Sequence, residues 1–109
     1  MVGRAGGRAQ GAVSQVVWLP EALEDIQRLH AFLADKNPAA ARNAVLCIQA
    51  AGRQLEAFPE IGRTMRDGSQ RREVFAAFGA GAYVLRYRPD AQGRVVVIRV
   101  WHTREWREG

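Results

Sequence analysis

His102 lies in the run Val100-Trp101-His102-Thr103-Arg104-Glu105, with an arginine two residues beyond it. Imidazole trades protons near neutral pH, and a guanidinium can hold the negative charge that builds up on a phosphorane-like transition state. Arg86 stands in an alternating stretch that can reach the same end of a sheet. His102, Arg86 and Arg104 together would make a metal-free RNA-cleaving site. The spacing fits a plainer role better, in which His102 hydrogen-bonds the strand end and Arg104 pairs with Glu105 or Glu108. A second cationic group is Arg63, Arg66, Arg71 and Arg72, with only Asp67 among them. Such a loop can hold phosphates or an acidic protein. His30 and Cys47 fall within helical stretches and read as structural.

Other chemistries find no support. The chain has no P-loop, no G-x-G-x-x-G after a strand, no G-x-S-x-G and no paired metal-ligand spacing. A single cysteine leaves no internal disulfide and no multi-cysteine metal site, as expected of a chain made for a reducing cytoplasm. No cofactor and no metal are therefore expected. No apolar run approaches the ~18 residues of a membrane span, so no membrane partner is expected.

The charge points to a macromolecular partner. The 109 residues carry 16 Lys+Arg against 11 Asp+Glu, a net +5, and only Lys36 is a lysine. Residues 1–58 contribute +1 and residues 59–109 contribute +4. The second half is thus the side that would meet an acidic protein or nucleic acid.

The elements that must position these groups follow from periodicity. Residues 1–15 are Gly- and Ala-rich without an acid, and read as a flexible tail. Residues 16–109 form one domain. Val16 to Leu19 reads as a strand, and Pro20 opens a helix whose stripe is Ala22, Ile26, Leu29 and Leu33. Asn37-Pro38 caps a second, alanine-rich helix with the stripe Ala41, Ala44, Ile48, Ala51 and Leu55. Small alanines favour an antiparallel hairpin of the two. Pro59-Glu60-Ile61-Gly62-Arg63 reads as a loop. The period then changes to two. Arg71–Ala76, Ala82–Arg88 and Arg94–His102 read as strands, with Val96, Ile98 and Val100 on one face of the last and Val95, Val97, Arg99 and Trp101 on the other. The expected fold is α+β: an N-terminal strand, a helical hairpin, then a mainly antiparallel three-stranded sheet. Helices on one side leave the other sheet face open, where Arg, Tyr and Trp would stand together, as at hot spots of protein interfaces.

The ordered set Asn37-Pro38-Ala39-Ala40-Ala41, Pro59-Glu60-Ile61-Gly62-Arg63, Arg72-Glu73-Val74, Tyr83 to Arg88 and Val97 to Glu105 resembles the RelE/ParE superfamily of bacterial toxins, the ParE branch most. The resemblance spans Val16 to Trp106. It implies the toxin of a type II toxin–antitoxin module, held in a hetero-oligomer by a ParD-like antitoxin and acting on DNA gyrase to arrest growth. From the cationic loop and the open arginine- and aromatic-bearing face, Arg71, Arg72, Arg99, Trp101 and Trp106 are the candidate target-binding residues. The RelE branch would instead imply a ribosome-dependent mRNA endonuclease, with Arg63, Arg86, His102 and Arg104 as the catalytic set and direct nucleic-acid binding. RelE-type sites commonly use lysines as well, and Lys36 lies in the connection between the helices.

Overall fold

The structure, a computed structural model, describes residues 14–105. In chain order the elements are β1 (Val16–Trp18), α1 (Pro20–Ala34), α2 (Pro38–Ala57), β2 (Arg63–Thr64), β3 (Arg72–Phe78), β4 (Gly81–Pro89) and β5 (Val95–His102). The strands form one sheet in the order β1-β5-β4-β3-β2. All its pairings are antiparallel except that of β1 with β5, which is parallel.

Local chemistry sets the helix ends. Pro20 opens α1, with its fixed φ and no N–H to leave unpaired. Asn37 caps α2 by accepting the Ala40 N–H at 3.0 Å, and Pro38 follows. Ala22 and Leu29 of α1, and Ala41, Ala44, Ile48, Ala51 and Leu55 of α2, are buried, while Ile26 and Leu33 pack at the margin. Burying a side chain such as Ile48 or Leu55 stabilises the fold by about 1.5–3 kcal/mol. Close approach matters at Gly52, where a Cβ would lie 2.4 Å from Trp18 Cζ2. The indole of β1 therefore lies directly on the α2 backbone.

The helices fill one sheet face, against Tyr83, Leu85, Tyr87, Val95, Val97 and Val100. The strict alternation expected along β5 does not hold. Arg86 faces Arg99, but Tyr87 faces Val97, so Ile98 is an extra residue in β5. This β-bulge shifts the phase, so Val95 and Val97 before it share the core face with Val100 after it. Two further differences concern the margins. Arg63 and Thr64, read as the end of a loop, form a short strand on β3. Ser14 and Gln15, read as tail, are held by backbone hydrogen bonds of 2.8 Å to Glu56 and Val95. The rest of the expected tail, and Trp106, lie outside the described residues. Among the described residues no helix is long and apolar enough to cross a membrane.

Candidate functional site

The sheet face away from the helices is organised in two rows across the strands. One row is charged: Arg63 of β2 faces Glu73 of β3, which faces Arg86 of β4, which faces Arg99 of β5. The next row is apolar, with Phe75 beside Val84 and Val84 beside Trp101. Val84 is fully packed beneath its neighbours, whereas Phe75 remains 47% exposed. The two rows are stitched together. The Arg86 guanidinium lies 4.9 Å from the Trp101 ring centre, and that of Arg63 lies 5.3 Å from the Phe75 ring centre.

Arg86 is not a bare cation. Its Nε and Nη2 both donate to Glu73 Oε2, at 3.0 and 2.7 Å. Arg99 is likewise committed. Its Nε and Nη2 donate to Asp25 of α1, at 2.8 and 3.0 Å. Asp25 is 4% exposed and also accepts the Val100 N–H at 2.8 Å, just past the bulge. Burial alone would push its carboxyl pKa up, but hydrogen bonds from Arg99, the Val100 N–H and Arg28 outweigh it and hold the group below its ordinary value. The same contact raises the pKa of Arg99.

His102 stands at the end of β5 and is bonded on both ring nitrogens. Nε2 lies 2.9 Å from the Phe78 carbonyl, and Nδ1 accepts the Arg104 N–H at 3.1 Å. An N–H donor at Nδ1 and a carbonyl at Nε2 together fix the neutral tautomer with the proton on Nε2. The ring also packs edge-on against Tyr83, with centroids 4.9 Å apart. Around it, Glu105 Oε1 accepts the His102 N–H, Glu105 Oε2 accepts from Arg28, and Thr103 pairs with Ala82 through backbone and hydroxyl. This corner ties the ends of β3, β4 and β5 to α1. Of the plainer roles read in the sequence, the strand-end role of His102 is the one seen. Glu105 pairs with Arg28 rather than with Arg104.

The remaining cations separate. Arg71 closes the turn at Asp67 and Ser69. The Ser69 hydrogen bonds, with help from Arg71, pull the Asp67 carboxyl down to about 2. Arg72 Nη1 donates to the carbonyls of Glu60 and Gly62, at 3.1 and 2.8 Å. With the Tyr87 hydroxyl, which accepts the Gly62 N–H at 2.8 Å, it fastens the loop before β2. Arg71 and Arg72 are therefore tied to loop backbone and turn, away from the two rows. Arg63 and Arg104 are exposed and, among the described residues, pair with no carboxylate. Arg63 and Arg86 belong to the open face, whereas His102 is in register with Tyr83 and packs on it, at the helix side of the sheet. Burial raises the pKa of the Cys47 thiol, which suits a packing residue. Glu73 and Asp25 were missed as partners in the sequence. Their signal is cross-strand and helix-to-strand, and no local spacing carries it. Among the described residues no cluster of three or more His, Cys, Asp or Glu gathers as metal ligands.

A helical hairpin on one face of a small sheet, with a cationic and aromatic face left open, defines a RelE/ParE-type α+β module. The family described as "ParE toxin of type II toxin-antitoxin system, parDE" matches residues 16–106, and the chain belongs to it. It is thus a type II toxin–antitoxin toxin, whose partner class is an antitoxin. Two relatives from Caulobacter vibrioides carry RelE names. "Toxin RelE3" is 38% identical over 81% of this chain and 92% of its own length. "Toxin RelE1" is 37% identical over 79% and 89%. A solved structure titled "Chromosomal ParDE TA system from P. aeruginosa" aligns with a TM-score of 0.66 at 13% identity, over 83% of this chain and 96% of that one, and so shares the fold. The superfamily resemblance and the α+β architecture read in the residues are borne out.

Proposed function

We propose that this toxin acts in the cytoplasm by binding DNA gyrase through the open sheet face, without bond-making chemistry, and that a ParD-like antitoxin neutralises it as a hetero-oligomer. The observation that supports this reading is the state of His102 and Arg86. Both imidazole nitrogens serve the fold, and the guanidinium is neutralised by Glu73, so no acid–base pair is assembled. What the face does offer is arginine and aromatic surface, the composition of an interface centre. Of the five candidate target-binding residues read in the sequence, Trp101 lies on this face and Arg99 at its edge. Purified toxin added in molar excess to gyrase and relaxed plasmid should block supercoiling or trap cleaved DNA. Neither effect at excess would overturn the reading.

The RelE names of the two Caulobacter relatives favour a second reading, a ribosome-dependent endonuclease. It requires His102 to leave Phe78 or Arg104 before it can move a proton. Toxin added to a translating extract would then cut messenger RNA only when ribosomes are present.

A further inference from the structure

We propose that Glu73 makes the open sheet face selective for protein over nucleic acid, and that the face takes a protein segment laying an apolar side chain on the Phe75–Val84–Trp101 row with a carboxylate toward Arg63. This deepens the gyrase reading by naming the chemistry that the target must present.

In the charged row, Glu73 already balances Arg86. A phosphate approaching Arg86 also approaches the Glu73 carboxylate, because Nε and Nη2 of the guanidinium both donate to Glu73 Oε2. Like charges at that distance repel, and the repulsion falls on the one guanidinium at the centre of the face. Arg99 is held in the same way by Asp25. Among the described residues, only Arg63 in this row pairs with no carboxylate, and it is stacked on Phe75. A nucleic-acid surface needs the reverse, a run of cations able to replace the counterions of several phosphates.

Burial by protein suits this arrangement. Ion pairs already made and stacked can be covered without stranding a lone charge. The apolar row supplies the anchor. Val84 forms its floor, and the half-exposed Phe75 ring is the side chain with most area still to bury. A single unbalanced arginine beside it calls for a single acidic residue beside an apolar one.

The test uses the purified chain, a fluorescein-labelled 12-nucleotide single-stranded RNA, and anisotropy at low and moderate salt. Glu73→Gln should bind this RNA about tenfold more tightly than the native chain at low salt, with a steeper salt dependence, as one more phosphate contact requires. Glu73→Asp, which keeps the charge, should stay near the native affinity. The double variant Glu73→Gln with Arg86→Gln should return RNA binding to about the native affinity, since the gain comes from the Arg86 guanidinium that Glu73 otherwise holds. Equal RNA affinity of the native chain and Glu73→Gln, or a gain that persists in the double variant, would overturn the proposal. In cells, Phe75→Ser and Arg63→Glu should each abolish growth arrest while the proteins still fold by circular dichroism. Arrest preserved in both would remove the docking row. A negative gyrase assay alongside the expected RNA results would remove gyrase as target and leave the Glu73 filter standing.

Discussion

The two faces of one sheet carry side chains from the same strands and serve opposite purposes. Toward the helices, Tyr83, Leu85 and Tyr87 of β4 are almost fully buried against Ile48, Leu55 and the alanines of the hairpin. On the other face, Arg86 is paired with Glu73 and stacked on Trp101, and Arg63 is stacked on Phe75. The core face is held by apolar area, which has no direction. The open face is held by paired charges, which are directional and have already chosen their partners. A residue type that suggests catalysis therefore means little until its hydrogen bonds are counted. His102 and Arg86 are chemically able, and both are occupied.

The largest expected effect breaks the core side. Leu85→Ala should destabilise the protein by about 2–5 kcal/mol, since its neighbours cannot collapse fully into the space. Phe75→Ala on the open face should cost less than about 1 kcal/mol, because the ring is half exposed in the free chain. Urea unfolding of the two variants checks the contrast, and similar losses would mean that the open face is part of the core.

A smaller effect lies where the two faces meet, at Asp25. Asp25→Asn should cost about 2 kcal/mol near neutral pH by weakening its hydrogen bonds with Arg99, Val100 and Arg28. The pH dependence follows from the sign of its shift. The folded-state pKa lies below the ordinary 3.8, so the stabilisation is present above that value and is lost as pH falls through the depressed folded value. The gap between native and variant stability should therefore narrow as pH drops from about 6 to about 2. A constant gap would show that the carboxylate charge is not what holds this contact.

The smallest effect is expected at His102. His102→Gln keeps a donor and an acceptor and should cost about 1 kcal/mol. Growth arrest should persist in that variant, measured by plating after induction. Loss of arrest with an intact fold would turn His102 from a structural tie into a working group.

Much of this was legible in the residues. Asn37-Pro38 fixed where α2 begins, and the spacing of Ala41, Ala44, Ile48, Ala51 and Leu55 named its buried side. These are local signals with a helical period. The bulge at Ile98 was not legible, because an inserted residue shows only against the partner strand. Strict alternation puts Val100 on the face opposite Val95 and Val97, and only the bulge brings the three together in the core. The open face carries the expected arginines and tryptophan but not the tyrosines, since Tyr83 and Tyr87 lie in the core, and its charge balance was not expected. Glu73 and Arg86 are far apart in sequence and meet through register, and Asp25 reaches Arg99 across the whole domain. Arg71 and Arg72 looked like target contacts because they sit in a cationic run, yet a carboxylate, a hydroxyl and two carbonyls claim them.

The central claim is that the toxin works by binding gyrase with its open face. Its most direct measurement is induced expression in bacteria without antitoxin, with pulses of labelled thymidine and labelled leucine taken over the first minutes. DNA synthesis should fall first, while protein synthesis continues. An immediate fall in leucine incorporation, with thymidine incorporation following only later, would contradict the account.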